Sequence, residues 1–284
     1  MMKIITSIPE MKAVVRQHRS SGRTIGFVPT MGFLHGGHLS LVRAARKKAD
    51  VTVVSIFVNP TQFGPKEDFK AYPRDLARDC ALLEKEGADY VFHPEASQMY
   101  PDGYKTYVEV QDLQDKLCGR SRPGHFRGVC TVVLKLLQIV EPRFAFFGQK
   151  DAQQAIILRK MVRDLNLNVH VEVMPIIREP DGLAMSSRNT YLNPQERTAA
   201  LVLTKSLAEA KTAIERGERR VEVVLGRMRA MIEKEPLARI DYVEAVDAQD
   251  LKPVKEIRSG TLIALAVYIG TTRLIDNITI NTES

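Results

Sequence analysis

Tryptophan is absent from the chain, and only three of its 284 residues are cysteine (Cys80, Cys118 and Cys130). Three scattered thiols build neither a disulfide framework nor a zinc ribbon, and they suit a reducing compartment. Aromatic residues make up 6% of the sequence, without the aromatic-and-basic patterns of RNA- or DNA-binding modules. The longest apolar run, Leu262 to Ile269, is far shorter than the ~20 residues that cross a bilayer. Met1 to Pro9 has no apolar stretch with a cleavage site, so no secretion signal is expected. Internal repeats, low-complexity tracts and coiled-coil heptads are missing as well. The expectation is a cytoplasmic protein with no membrane partner.

What remains has ordinary globular composition, 44% hydrophobic and 26% charged, long enough for one large domain or two smaller ones. The net charge of +7 invites either nucleic acid or a substrate rich in phosphate and carboxylate. The basic residues are spread out. Their two clusters, Arg43-Arg46-Lys47-Lys48 and Arg216-Arg219-Arg220, fall in helix-like contexts and read as solvated faces. No nucleic-acid partner is expected.

The chain is organised around Pro29-Thr30-Met31-Gly32-Phe33-Leu34-His35-Gly36-Gly37-His38. A strand-like run (Thr24–Val28) precedes this loop and a helix-like run from about Leu39 to Ala49 follows it, so a helix N-terminus faces the loop. Helix N-termini carry unpaired N–H groups that suit a phosphate, and glycines let the backbone approach a ligand closely. The spacing of His35 and His38, H-x-G-H, allows two readings. One is a zinc pair, disfavoured because no Cys or third His lies nearby at ligand spacing. The other is a pair of hydrogen-bond donors to a phosphate under attack.

Further strands are expected at Val51–Val58, Ala88–Phe92, Thr106–Val110, Arg143–Phe147 and Val169–Ile177, with helices at Asp75–Glu86, Val129–Val140 and Ala152–Leu165. Strands alternating with helices predict right-handed βαβ units, whose ligands gather at the carboxyl ends of the strands. Asn59 and Gln62, Lys150 within Gly148-Gln149-Lys150-Asp151, and Gln153 and Gln154 all fall at such ends. Gly124-His125-Phe126-Arg127-Gly128 reads as a polar loop over the site. Ser186, Ser187 and Arg188 offer hydroxyls and a guanidinium to polyphosphate. Beyond a boundary near residue 183, helices at Pro194–Arg216 and Val221–Glu235 lead to strands at Ile240–Val246, Leu262–Tyr268 and Arg273–Ile280. The fold class is therefore α/β. A Rossmann-like parallel-sheet nucleotide-binding domain (1–183) is followed by a smaller C-terminal α+β domain (184–284).

Six stretches in order, PTMGFLHGGH (29–38), FVNPTQFG (57–64), AYPRD (71–75), PGHFRGV (123–129), FFGQKDAQQ (146–154) and REPDGLAMSSRN (178–189), resemble the pantoate–β-alanine ligases, and the RLIDN ending (273–277) extends the likeness. The resemblance implies that (R)-pantoate reacts with ATP to give pantoyl adenylate and pyrophosphate, and that β-alanine then displaces AMP to give pantothenate. It implies a cytoplasmic homodimer that uses magnesium. It places Met31 to His38 around ATP, with His38 as proton donor and His35 and Lys150 beside it as catalytic groups. Gly148 to Asp151, Ile177 near the adenine, and Met185 to Arg188 closing over the phosphates complete the nucleotide site. Gln62 and Gln154 would bind pantoate, Gln62 also β-alanine, and Asp79 would help hold magnesium. The C-terminal domain would act as a lid. The nearest rival is an adenylyl- or cytidylyltransferase of the same superfamily.

Overall fold

Val51–Ile56 is buried along its whole length, as a continuous β-branched run must be at the centre of a parallel sheet covered on both faces. The computed structural model describes residues 2–65 and 67–281. In chain order, the first lobe holds β1 (Lys3–Ile5), α1 (Ile8–Ser20), β2 (Ile25–Thr30), α2 (Gly36–Lys48), β3 (Val51–Ile56), α3 (Leu76–Glu86), β4 (Tyr90–Phe92), α4 (Ala96–Met99), α5 (Cys118–Ser121), α6 (His125–Val140), β5 (Phe144–Gly148), α7 (Ala152–Asp164) and β6 (His170–Met174). The six strands are ordered β1-β4-β3-β2-β5-β6 and every neighbouring pair is parallel. The chain winds outward in opposite directions from β2 and β5. Their carboxyl ends therefore flank the switch point at which such sheets bind ligands.

The second lobe holds α8 (Pro194–Ala199), α9 (Leu201–Glu215), α10 (Val221–Ile232), β7 (Ala238–Asp247), β8 (Thr261–Ile269) and β9 (Thr272–Ile280). Its strands form an antiparallel sheet, β7-β8-β9. The long apolar run in β8 divides by strand periodicity. Ile263, Leu265, Val267 and Ile269 join the core under α9 and α10, whereas Leu262, Ala264 and Ala266 join the core of the first lobe. No helix among the described residues is long and apolar enough to cross a membrane.

Four expectations need correction. The strand β1 was not foreseen; it is short and pairs only with β4. Thr106–Val110 is not a strand: the Val108 N–H donates to the Thr131 hydroxyl on α6 at 3.0 Å instead of to a neighbouring strand. The segment 124–128 is no loop, because α6 already begins at His125. The helix expected over Pro194–Arg216 divides at Ala200, where Leu203 N donates to Ala200 O at 3.2 Å, the tighter pattern of a 3₁₀ turn.

Candidate active site

Directly after β2, Gly32 and Phe33 both take left-handed backbone conformations, with φ of 83° and 49°. A Cβ at Gly32 would sit 3.0 Å from Asp79 Oδ2 and from Ile56 Cγ2, so the turn requires glycine. Phe33 has no such freedom, and its conformation costs roughly 1–3 kcal/mol. The side chain of Asp79, in the first turn of α3, offsets that cost. Its two oxygens accept the N–H groups of Phe33 at 2.6 Å and Leu34 at 2.8 Å. Arg78 adds a bond to the Leu34 carbonyl at 2.9 Å and lies over the Phe33 ring. Asp79 is 1% exposed, and burial pushes its pKa up against the pull of those N–H groups.

The helix α2 starts earlier than expected because the histidines begin it. His35 is the N-cap: its Nδ1 accepts from Gly37 N at 3.1 Å, and His38 Nδ1 accepts from His35 N at 3.4 Å. An imidazole nitrogen that accepts a backbone N–H carries no proton, so in each neutral ring the proton sits on Nε2. The rings are 4.1 Å apart. Burial, and then the nearby Lys150 charge, pull the His35 pKa down to about 4. Burial, His35 and Lys150 hold His38 well below the ordinary range. Both rings are neutral near pH 7 and present N–H donors.

Lys150 stands in the 3₁₀ turn Gln149–Asp151 that follows β5. With Met31, His35, Gly37, His38, Gly148, Asp151, Ile177 and Met185 to Arg188 it lines one cleft. A Cβ on Gly148 would meet no atom within 4 Å, which leaves room there for a ligand. The segment 185–188 is docked on the histidine loop. Met185 N donates to Ile177 O at 3.0 Å, the Ser187 hydroxyl donates to Phe33 O at 3.2 Å, and Met185 Sδ packs over Gly36. Arg188 is already paired, donating to both oxygens of Asp68 at 3.0 and 2.8 Å.

Gln62 and Gln154 share an adjoining cavity with Met31 and His38. Asn59 Nδ2 donates to Gln62 Oε1 at 3.2 Å and to Gly128 O at 3.1 Å. That fixes the Gln62 amide with its NH2 toward Met31 Sδ, 2.8 Å away. The turn holding Gln62 can lie on α6 only because residue 128 is glycine: a Cβ there would come within 2.3 Å of Thr61 O. His125 Nδ1 holds the Gln62 carbonyl at 2.8 Å, and burial beside Arg122 lowers its pKa to about 4. His125 supports the site from behind.

At three of the residues expected around the nucleotide the side chain is engaged elsewhere, which leaves only the backbone for that role. Leu34 is fully buried in the core, Phe33 is stacked by Arg78, and the Gln149 side chain turns to the second lobe, donating to Asn277 Oδ1 at 3.0 Å and Thr279 Oγ1 at 3.2 Å. Asp79 does not fit a magnesium ligand: it is buried, a backbone N–H binds each oxygen, and the Arg78 cation lies against Oδ1 at 3.3 Å. Among the described residues no group of three or more His, Cys, Asp or Glu is arranged to hold a metal. Sequence reasoning missed the loop-holding role of Asp79 and the contribution of Asn277, and it placed Asn59 at the ligand edge of the sheet without its hold on the Gln62 amide.

A glycine–histidine loop and a lysine turn on adjacent parallel strands, closed by a serine–arginine segment, define an enzyme that activates a substrate by chemistry at a nucleotide's phosphate. Comparison with known proteins narrows the class. Residues 3–279 match the family model described as pantoate-beta-alanine ligase. The pantothenate synthetase of Thermosipho africanus is 59% identical over 279 residues, covering 98% of this chain and all of the relative. That of Thermosipho melanesiensis is 60% identical over 277 residues, covering 98% and 99%. The crystal structure of the Thermus thermophilus pantothenate synthetase superposes with a TM-score of 0.94 at 42% identity, covering 99% of this chain and all of that one. The Francisella tularensis pantoate-beta-alanine ligase, solved in complex with beta-gamma ATP and beta-alanine, gives 0.80 at 35% identity, with 98% of each chain covered. The chain belongs to the pantoate–β-alanine ligase family.

Proposed function

We propose that this ligase joins (R)-pantoate to β-alanine through a pantoyl adenylate, with ATP in the histidine–lysine cleft and pantoate in the adjoining glutamine cavity. The observation carrying this reading is that the two cavities meet at Met31 and His38. A pantoate carboxylate held by Gln62 and Gln154 would then face the α-phosphorus. Neutral carboxamides hold the carboxylate and hydroxyls without a cation that would dull the nucleophile.

In the first step a pantoate oxygen bonds to the α-phosphorus, and the bond to the bridging oxygen breaks to release pyrophosphate. The Nε2–H groups of His35 and His38 donate to the oxygens that gain charge, and Lys150 neutralises them. With a pKa near 4, His35 acts as a hydrogen-bond donor and not as a reservoir of protons; the lowered His38 pKa assigns that ring the same part. In the second step the free amine of β-alanine attacks the acyl carbon, and AMP leaves with the electron pair of the broken C–O bond. The proton shed by the amine goes to the phosphate of the departing AMP, because both histidines turn N–H groups to the cleft. Ser186 and Ser187 close the phosphate end, where the triphosphate would compete with Asp68 for Arg188. Magnesium, entering with the nucleotide, would add to the charge neutralisation that Lys150 supplies. The second lobe excludes water from the adenylate, and the enzyme is a cytoplasmic homodimer.

The test is ATP–pyrophosphate exchange with and without pantoate, followed by addition of β-alanine. Pantoate-dependent exchange followed by AMP release is expected. Exchange indifferent to pantoate would overturn the reading in favour of a nucleotidylyltransferase acting on another acceptor.

A further inference from the structure

The RLIDN stretch near the end of the chain lies in β9, and its last two residues reach across to the first lobe. Asn277 is 3% exposed and Asp276 2%. The Asn277 carboxamide donates through Nδ2 to the Gln149 and Lys150 carbonyls, both at 3.0 Å. Its Oδ1 accepts from Gln149 Nε2 at 3.0 Å. One side chain thus grips both carbonyls of the turn that presents Lys150. Beside it, Asp276 accepts both arms of Arg178 at 2.7 and 3.0 Å and its own neighbour's N–H, Asn277 N, at 2.8 Å. Arg178 in turn holds the Gly182 carbonyl at 3.1 Å, on the stretch that leads to Met185–Arg188. Two successive residues of one strand of the second lobe therefore hold two walls of the nucleotide cleft.

We propose that Asn277 is a positioning residue for adenylation. From the second lobe it sets the turn carrying Lys150, so that the ammonium meets the phosphate only while β9 is seated. Two donors aimed at two carbonyls specify asparagine. The isosteric Asn277→Asp change replaces the NH2 group, and with it both donors, by an oxygen that repels those carbonyls and leaves no cavity. This inference rests on the phosphate role of Lys150.

The experiment is a double-mutant cycle in the full-length enzyme, read by ATP–pyrophosphate exchange, with Asn277→Asp, Lys150→Ala and the pair. Asn277→Asp should lower the maximal exchange rate about 10²-fold, as misplacement by ~1 Å does, with the pantoate KM unchanged. In the Lys150→Ala background the same change should cost little more, because it acts through Lys150. Losses that multiply, or near-parental exchange by Asn277→Asp, would overturn the proposal. A near-normal Lys150→Ala enzyme would instead remove the phosphate role and the inference with it. If Asn277→Asp does not fold, Gln149→Leu breaks the reciprocal bond from the other side and should show the same non-additive pattern. Multiplying losses there would overturn it equally.

Discussion

The two loops that line the cleft proposed for ATP leave neighbouring strands but are secured differently. The histidine loop after β2 is held within its own lobe, by the Asp79 carboxylate under its left-handed turn and by the two imidazoles that begin α2. The lysine turn after β5 is held from outside, by Asn277 on β9. One half of the catalytic surface is therefore built into the parallel-sheet lobe, while the other depends on how the second lobe is seated. Under the proposed mechanism a ligase with a hydrolysable intermediate would gain from this division, since full charge stabilisation would be assembled only with the second lobe in place.

The largest expected effect isolates the first loop. His38→Ala removes a donor to the α-phosphate and should lower the exchange rate by ~10²–10³ with the fold retained; a loss under about tenfold would break the account of that loop. Asp79→Asn should act differently from Asn277→Asp. It leaves one buried N–H of the loop facing an amide NH2, and should cost roughly 1–3 kcal/mol in denaturant unfolding, with an activity loss that does not depend on Lys150. Equal coupling of both variants to Lys150 would erase the contrast. Gln62→Ala should weaken pantoate more than ATP in direct binding, and equal weakening would make the damage structural.

The smallest effect is in pH. His35 titrates at about 4 instead of the ordinary 6.5, so between those values the unfolded chain binds the extra proton. The stability from the neutral ring is complete above about pH 6.5 and is lost as pH falls toward about 4. The acid limb of kcat/KM for ATP set by His35 should accordingly lie near 4; a limb at 6.5 that vanishes in His35→Ala would contradict the neutral-donor assignment.

The parallel sheet was legible because most of its strands are short apolar runs, Val51–Ile56 the most β-branched of them, and its helices are amphipathic, patterns written within single segments. The histidine loop was legible as a strand-to-helix turn because its glycines lie between an apolar run and a helix-like run. What the sequence hid lies between segments. Asp79 looks like an ordinary first-turn acid until the fold brings Phe33 and Leu34 onto it, and Gly128 looks like a helix defect until Thr61 packs there. Asn277 sits in a strand whose partners are 127 and 128 positions away, a separation over which no local pattern carries information. Thr106–Val110 erred the other way: strand-like composition ended on a helix, with the Val108 N–H bonded to Thr131 of α6 instead of to a strand.

Oxygen transfer from pantoate tests the central claim most directly. With both carboxylate oxygens of pantoate labelled with ¹⁸O, attack at the α-phosphorus predicts one labelled oxygen in the AMP released per pantothenate formed. Unlabelled AMP would contradict an acyl adenylate, and with it the placing of pantoate beside the histidine loop.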